Sequence, residues 1–311
     1  SGNRAAALSG EKAEASGDYS VALGGKDGAK AKGDYSVAIG GSNINNDFTR
    51  NIADARGAVA IGGGGPGGSK DGGNEASGEG AVAIGGQNGG NESSGLGSVV
   101  LGGRGTIART ATGDGAVALG GEKIDATGKD SFATGTDNTS SGISSFACNS
   151  NNVASGNSSF AGGNNAEASG NGSFVWGASN DTGGSSITDG GTNEKVVFNA
   201  PGGFDIVGGG DLVVDGTVVQ SSSARYKSNI RPLATQRSGV LELQPKKYEF
   251  KESGKTDVGL IAEEVDKTLP ELVKYNENDE PDAVNYSRVG MFLAPEVSEN
   301  RDRLETIEAA R

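Results

Sequence analysis

Residues 33–41 read GDYSVAIGG, and this stretch decides the fold. Strict alternation puts Val37 and Ile39 on one face of a short strand and Ser36 and Ala38 on the other. Glycines bracket it on both sides, as turns do. The same phrase recurs along the first half of the chain, from GDYSVALGG (17–25) through GEGAVAIGG (78–86) to GNGSFVWGA (170–178). Anchored on the small residue before Val or Phe, ten rungs start at Ser20, Ser36, Ala58, Ala81, Ser98, Ala116, Ser131, Ser145, Ser159 and Ser173. Their spacings are 16, 22, 23, 17, 18, 15, 14, 14 and 14 residues. A base period of 14 with insertions in the early units is the signature of a solenoid.

A second short alternating stretch precedes each rung, as in AEAS (13–16), AKAK (29–32) and AEAS (166–169). Two short strands and two turns per 14 residues make a narrow coil. Its inside has room for Ser, Ala and Gly but little for Val, Ile or Phe. The larger face then has to be buried elsewhere, because a row of exposed Val and Ile on every rung would aggregate. Identical chains are the simplest cover, which predicts an obligate oligomer. In the later rungs Val gives way to Phe132, Phe146, Phe160 and Phe174, and the position two residues on shrinks to Thr134, Cys148 and Gly162. That exchange holds a packing volume fixed. Cys148 therefore reads as a small core residue rather than a reactive thiol. Trp176 is expected to plug the end of the column, with ligand binding as its alternative. Asp18 and Asp34, in GDY segments, read as turn formers.

These rungs, with A-x-A-x-G between them, resemble the head repeats of YadA-type trimeric adhesins over residues 1 to about 178. The resemblance implies a trimeric left-handed parallel β-roll. The insertions NINNDFTRNIADA (43–55) and GGGPGGSKDGGNEAS (63–77) depart from it. They are either binding loops on a rigid scaffold or neutral growth of turns.

Composition narrows the function. The 311 residues include 56 Gly and carry a formal charge of −13. Such a charge opposes phosphate backbones and anionic membranes, so no nucleic-acid partner is expected. No run approaches the ~20 apolar residues of a membrane helix. The single Cys and the absence of His remove disulfide frameworks, Cys-His and Ser-His-Asp chemistry and the commonest metal ligand. No metal or cofactor is expected.

Past the last rung the texture changes. Residues 181–221 read as a β-rich connector, with runs at Lys195–Asn199, Phe204–Val207, Asp211–Val214 and Thr217–Val219. Gly208–Gly210 before Asp211 carry no nonapeptide period and are not read as a calcium repeat. After Lys227 glycine becomes rare and charge rises. VLELQPKKYEF (240–250) reads as a helix end then a strand, and TDVGLIAEEVDKTLPELV (256–273) as a strand then a short helix. A helical tail follows over 283–311. There Leu293, Val297, Asn300, Leu304 and Ile307 mark a coiled-coil seam, with Pro295 near the helix start. Asn300 on that seam is a register-fixing residue.

SSARYKSNI, YEF, DVGLIAEEV, LPELV and AVNYSRV, in this order, resemble the intramolecular chaperone domain of phage tailspikes and tail fibres, the S74 peptidase family. The resemblance implies a C-terminal trimerisation chaperone that cuts itself off after folding. Carried over, the scissile bond is Ser221–Ser222, Ser222 is the nucleophile and Lys227 the general base. A lysine can serve as base if burial lowers its pKa. Arg225 matches the family's arginine and is expected to hold the loop. Ser223 stands where the family has Asp.

The expected fold is mainly β: a trimeric β-roll over 1–180, a connector over 181–221 and an α+β chaperone with a trimeric coiled coil over 222–311. The expected function is a homotrimeric adhesive fibre segment, extracellular, on a phage tail or a bacterial surface, facing a host receptor or glycan. Its enzymatic act is one self-cleavage. The rivals are a polysaccharide-degrading tailspike, which needs paired carboxylates in a groove, and a permanent trimer clamp that never cuts.

Overall fold

A computed structural model describes residues 2–24, 28–40, 50–62, 73–85, 90–102, 109–178, 187–199, 214–215, 217–231, 239–251 and 254–310. Contacts divide the chain into two compact units, Ser1–Phe204 and Asp205–Arg311.

The first unit is a parallel β-solenoid. One sheet has twelve strands and the other eleven, and every strand pairs with its equivalent in the next coil. The register follows the sequence anchors: Val21 pairs with Val37, Val37 with Val59, and later Val117 with Phe132 and Phe132 with Phe146. The alternation also sorts the faces as expected. Ala22, Ala38, Ala60, Ala83, Ala118, Ala133, Ala147 and Ala161 are fully buried, and Val100 and Val175 replace alanine at this inner position. Val37 and Ile39, on the other face, are only half-buried. The inside of each coil is thus filled by residues that bring little apolar area.

Close approach between coils explains one row of turn glycines, from Gly17 to Gly170. A Cβ on Gly17 would sit 2.1 Å from the carbonyl oxygen of Gly33. The acidic turn residues bridge coils: the Asp34 side chain accepts from the Asp18 amide at 2.8 Å, and Asp18 accepts from the Asn3 amide at 2.7 Å.

The column is longer than its ten legible rungs. Ala6–Leu8 pairs ahead of Val21–Leu23, and Val196–Asn199 pairs beyond Phe174–Ala178. The run at 195–199 is therefore the last strand of the column. Trp176 is not an end plug: Gly162 faces it on one side and Phe198 on the other. Cys148 lies half-buried on the outer face beside the Phe ladder, and burial pushes its thiol pKa up. Residues 41–49 and 63–72, the greater part of both insertions, lie outside the described residues, as do 204–213 of the connector. Residues 217–219 carry no strand.

The second unit has an apolar core of ordinary size residues. Helix α1 (Gly239–Glu242), α2 (Ala262–Asp266) and α3 (Tyr286–Ala309) enclose Val240, Val265, Leu269, Leu272 and Phe292. Strands Lys246–Glu249 and Thr256–Gly259 form an antiparallel pair. A second pair, Val273–Tyr275 with Pro281–Val284, was not foreseen in the sequence. Helix α3 starts at Tyr286, so Pro295 falls inside it rather than near its start. A proline there removes one amide donor. The carbonyl it orphans belongs to Met291, and both residues are exposed, so water can satisfy it. Leu293, Val297, Asn300, Leu304 and Ile307 are all exposed along α3.

Candidate functional site

A segment of the second unit carries the serine and the lysine. Ser223 caps a 3-10 helix, Ala224–Tyr226, by accepting from the Arg225 amide at 3.3 Å. Arg225 Nε donates to the same hydroxyl at 3.2 Å, and the guanidinium lies 5.3 Å from the Tyr226 ring centre. The turn closes with the Tyr226 amide on the Ser223 carbonyl and the Lys227 amide on that of Ala224, both at 3.1 Å. An extended chain would spread five residues over about 17 Å. The turn instead lets Lys227 Nζ donate to Ser222 Oγ at 2.7 Å. Gln220 Nε2 reaches Ser287 Oγ in the first turn of α3 at 3.2 Å. Ser221, Ser222, Arg225 and Lys227 are all exposed in the single chain.

The pair has the elements of a nucleophile and a base in contact. In this contact the ammonium donates and the hydroxyl accepts. Proton abstraction needs the reverse, with a neutral amine accepting from the hydroxyl. Desolvation favours neutral amines. Ser223 ties the loop through Arg225, which is a geometric role for both residues.

Residues 222–274 match the family model described as chaperone of endosialidase, Peptidase_S74. The chaperone match begins on Ser222 and takes in Lys227, the first strand pair and α2, while α3 lies beyond it. Residues 9–26 and 27–43 match two copies of the YadA head domain repeat. No curated protein matches the chain. The chain thus joins an adhesin-head-like column to a segment similar to the endosialidase chaperone. These are families of surface adhesins and virion tail proteins. No helix among the described residues is long and apolar enough to cross a membrane.

Sequence reasoning missed the polar groups that the column buries. Asn138 Nδ2 donates to the Asn149 carbonyl at 2.9 Å, and its Oδ1 accepts from the Asn152 amide at 2.9 Å. Asn152 repeats this one coil on, with Gly163 and Ala166. Arg109 is fully buried and donates to the Gly121 carbonyl at 2.7 Å; burial lowers its pKa and the field of Glu122 opposes that. Asp189 is buried near the column's end and accepts from Ser169 Oγ and from the Gly170 and Gly191 amides. Burial alone would raise its pKa. Hydrogen bonds from Ser173, Gly170, Gly191 and Ser169 outweigh it and hold the carboxyl far below the usual range. The only sequence signal was Asn recurring at inner-strand positions, where it reads equally as a turn residue.

Proposed function

We propose that this chain is a segment of a homotrimeric extracellular fibre, on a virion tail or a bacterial surface, and that residues 222–311 are its removable folding chaperone. In this reading residues 1–180 are the head and 181–221 the connector, the column's last strand included. Two apolar surfaces that the single chain leaves partly or wholly open support the trimer. One is the half-buried Val, Ile and Phe ladder of the solenoid. The other is the α3 seam, where Asn300 would fix register at some cost in stability. Parallel strands and intermolecular contacts are slow to form and aggregation-prone. A C-terminal coiled coil would raise the local concentration of the three chains.

The observation that carries the cleavage reading is the 2.7 Å contact between Lys227 Nζ and Ser222 Oγ, at the first residue of the chaperone match. Ser222 follows the scissile carbonyl directly, so its hydroxyl attacks the carbonyl carbon of Ser221 through a five-membered ring. As a neutral amine, Lys227 takes the hydroxyl proton and passes it to the amide nitrogen of Ser222. The C–N bond breaks and an ester on Ser222 Oγ remains. Water then hydrolyses the ester, leaving a carboxylate on Ser221 and a free amine on Ser222. Cutting would follow folding. Without its nucleus the trimer would be kinetically locked.

The permanent clamp is a second reading, favoured by the exposure of both groups in the single chain and by Ser223 in place of Asp. Intact mass under denaturing conditions decides between the two. The cleavage reading expects fragments 1–221 and 222–311 from the wild-type chain and a whole chain from Ser222→Ala. A whole wild-type chain leaves the clamp.

A further inference from the structure

The turn edge of the solenoid carries one feature that the assembly reading does not use. At the second turn position of successive coils the backbone is left-handed, with φ of 56° at Arg4, 58° at Tyr19 and 59° at Tyr35. The next four coils place Gly57, Gly80, Gly97 and Gly115 there, the residue this conformation favours. Later coils place Asp130, Ser144 and Ser158 there. Arg4, Tyr19 and Tyr35 carry large side chains at this position, and these stack on one another. The two rings lie 5.2 Å apart and parallel within 1°, and the Arg4 guanidinium caps the Tyr19 side at 5.5 Å. Tyr35 is 57% exposed.

Beyond Tyr35 the column of side chains stops. A Cβ on Gly80 would meet nothing within 4 Å. The result is an open trough of about 700 Å³ lined by Tyr35, Arg56, Gly57, Glu79, Gly80 and Leu96. That volume is within the range of small-molecule sites, roughly 300–1,000 Å³. Arg56 Nη1 and Glu79 Oε1 lie 3.6 Å apart along it. Strand spacing of about 4.8 Å makes the run from Tyr35 to Leu96 roughly 14 Å long, the scale of a short oligosaccharide.

We propose that this trough binds an uncharged oligosaccharide. The axial C–H bonds of a pyranose are a weakly positive apolar face, and the face of an aromatic ring is negative. Tyr35 offers such a face on a backbone that leaves it little freedom. Arg56 supplies donors and Glu79 acceptors for ring hydroxyls. Their pairing leaves the trough no net charge, and a chain of charge −13 repels acidic sugars. Tyr35 lies on a turn between sheets, not on the Val and Ile face assigned to the trimer. The inference gives the fibre reading a ligand class, and it is read independently of cleavage: an uncut chain that binds sugar fails one and not the other.

The test uses the full chain against immobilised gluco-, manno- and galacto-oligosaccharides, with sialylated oligosaccharides and a polyproline peptide alongside. At least one neutral oligosaccharide is retained. Tyr35→Ala weakens it about fivefold or more, while Tyr35→Phe keeps it. Gly80→Asn, which fills the trough with a residue that tolerates a left-handed backbone, weakens it too. Thermal melting of each variant near wild type shows that the fold is kept. Retention of none of the neutral sugars overturns the proposal. So does retention of the acidic sugars alone, of the peptide alone, or equal binding by wild type and Tyr35→Ala.

Discussion

The solenoid and the C-terminal unit bury opposite things. Inside the coils lie mostly Ala, Ser and Asn, with Val100, Arg109, Ile124 and Val175 as the large exceptions, and the Val, Ile and Phe rows point outward. In the second unit Val265, Leu269, Leu272 and Phe292 point inward in the usual way. Yet both units leave apolar rows unpaired: the Val and Phe ladder in one, the α3 seam in the other. The difference teaches where each finds its stability. The small unit has a core that stands on apolar volume. The column stands on backbone ladders, close coil contact and buried hydrogen bonds, and its apolar rows are free for partners.

Truncating a core side chain separates the two most sharply. Leu272→Ala is expected to destabilise the second unit by about 2–5 kcal/mol, through lost burial and a cavity. Denaturant unfolding at fixed chain concentration measures it, and the solenoid's strand signal should be unchanged. Next comes a buried hydrogen-bond centre of the column. Asp189→Ala leaves the buried Gly170 amide unpaired, which costs about 1–3 kcal/mol. The Asp189 pKa is depressed on folding, so its contribution is full above the ordinary carboxylate pKa of about 3.9. It is lost as pH falls through the folded value. Between pH 7 and 5 wild type and variant should therefore differ by a constant amount, and the gap should close only in strong acid. The reverse size change probes the coil interior. Ala118→Leu should cost about 1–3 kcal/mol by overpacking, where the same exchange at an exposed site would cost little. The smallest effect belongs to the surface. Lys30 and Glu14 pair at 3.2 Å on partly exposed side chains, and Lys30→Ala should change stability by no more than about 1 kcal/mol.

The rungs were legible because alternation and glycine spacing carry the same message in every coil. Where one signal was missing, the rung was missed. Ala6–Leu8 lacks the Val or Phe anchor, and Val196–Asn199 lacks the inner alanine and follows an insertion. Asp189 and the inner asparagines were invisible because burial depends on which coil each meets. The Val273–Tyr275 and Pro281–Val284 hairpin hid because its strands are short and one opens on proline. Pro295 misled because a helix can carry proline where water reaches the freed carbonyl. Ser222 and Lys227 were legible as residues, but their contact depends on the turn that Ser223 caps.

The central claim is that the outward rows of both units meet identical chains. Light scattering on the Ser222→Ala chain, kept whole by the loss of its nucleophile, tests this most directly. The account predicts a particle of three times the 30.9 kDa chain mass. A stable, folded particle of one chain mass would contradict it.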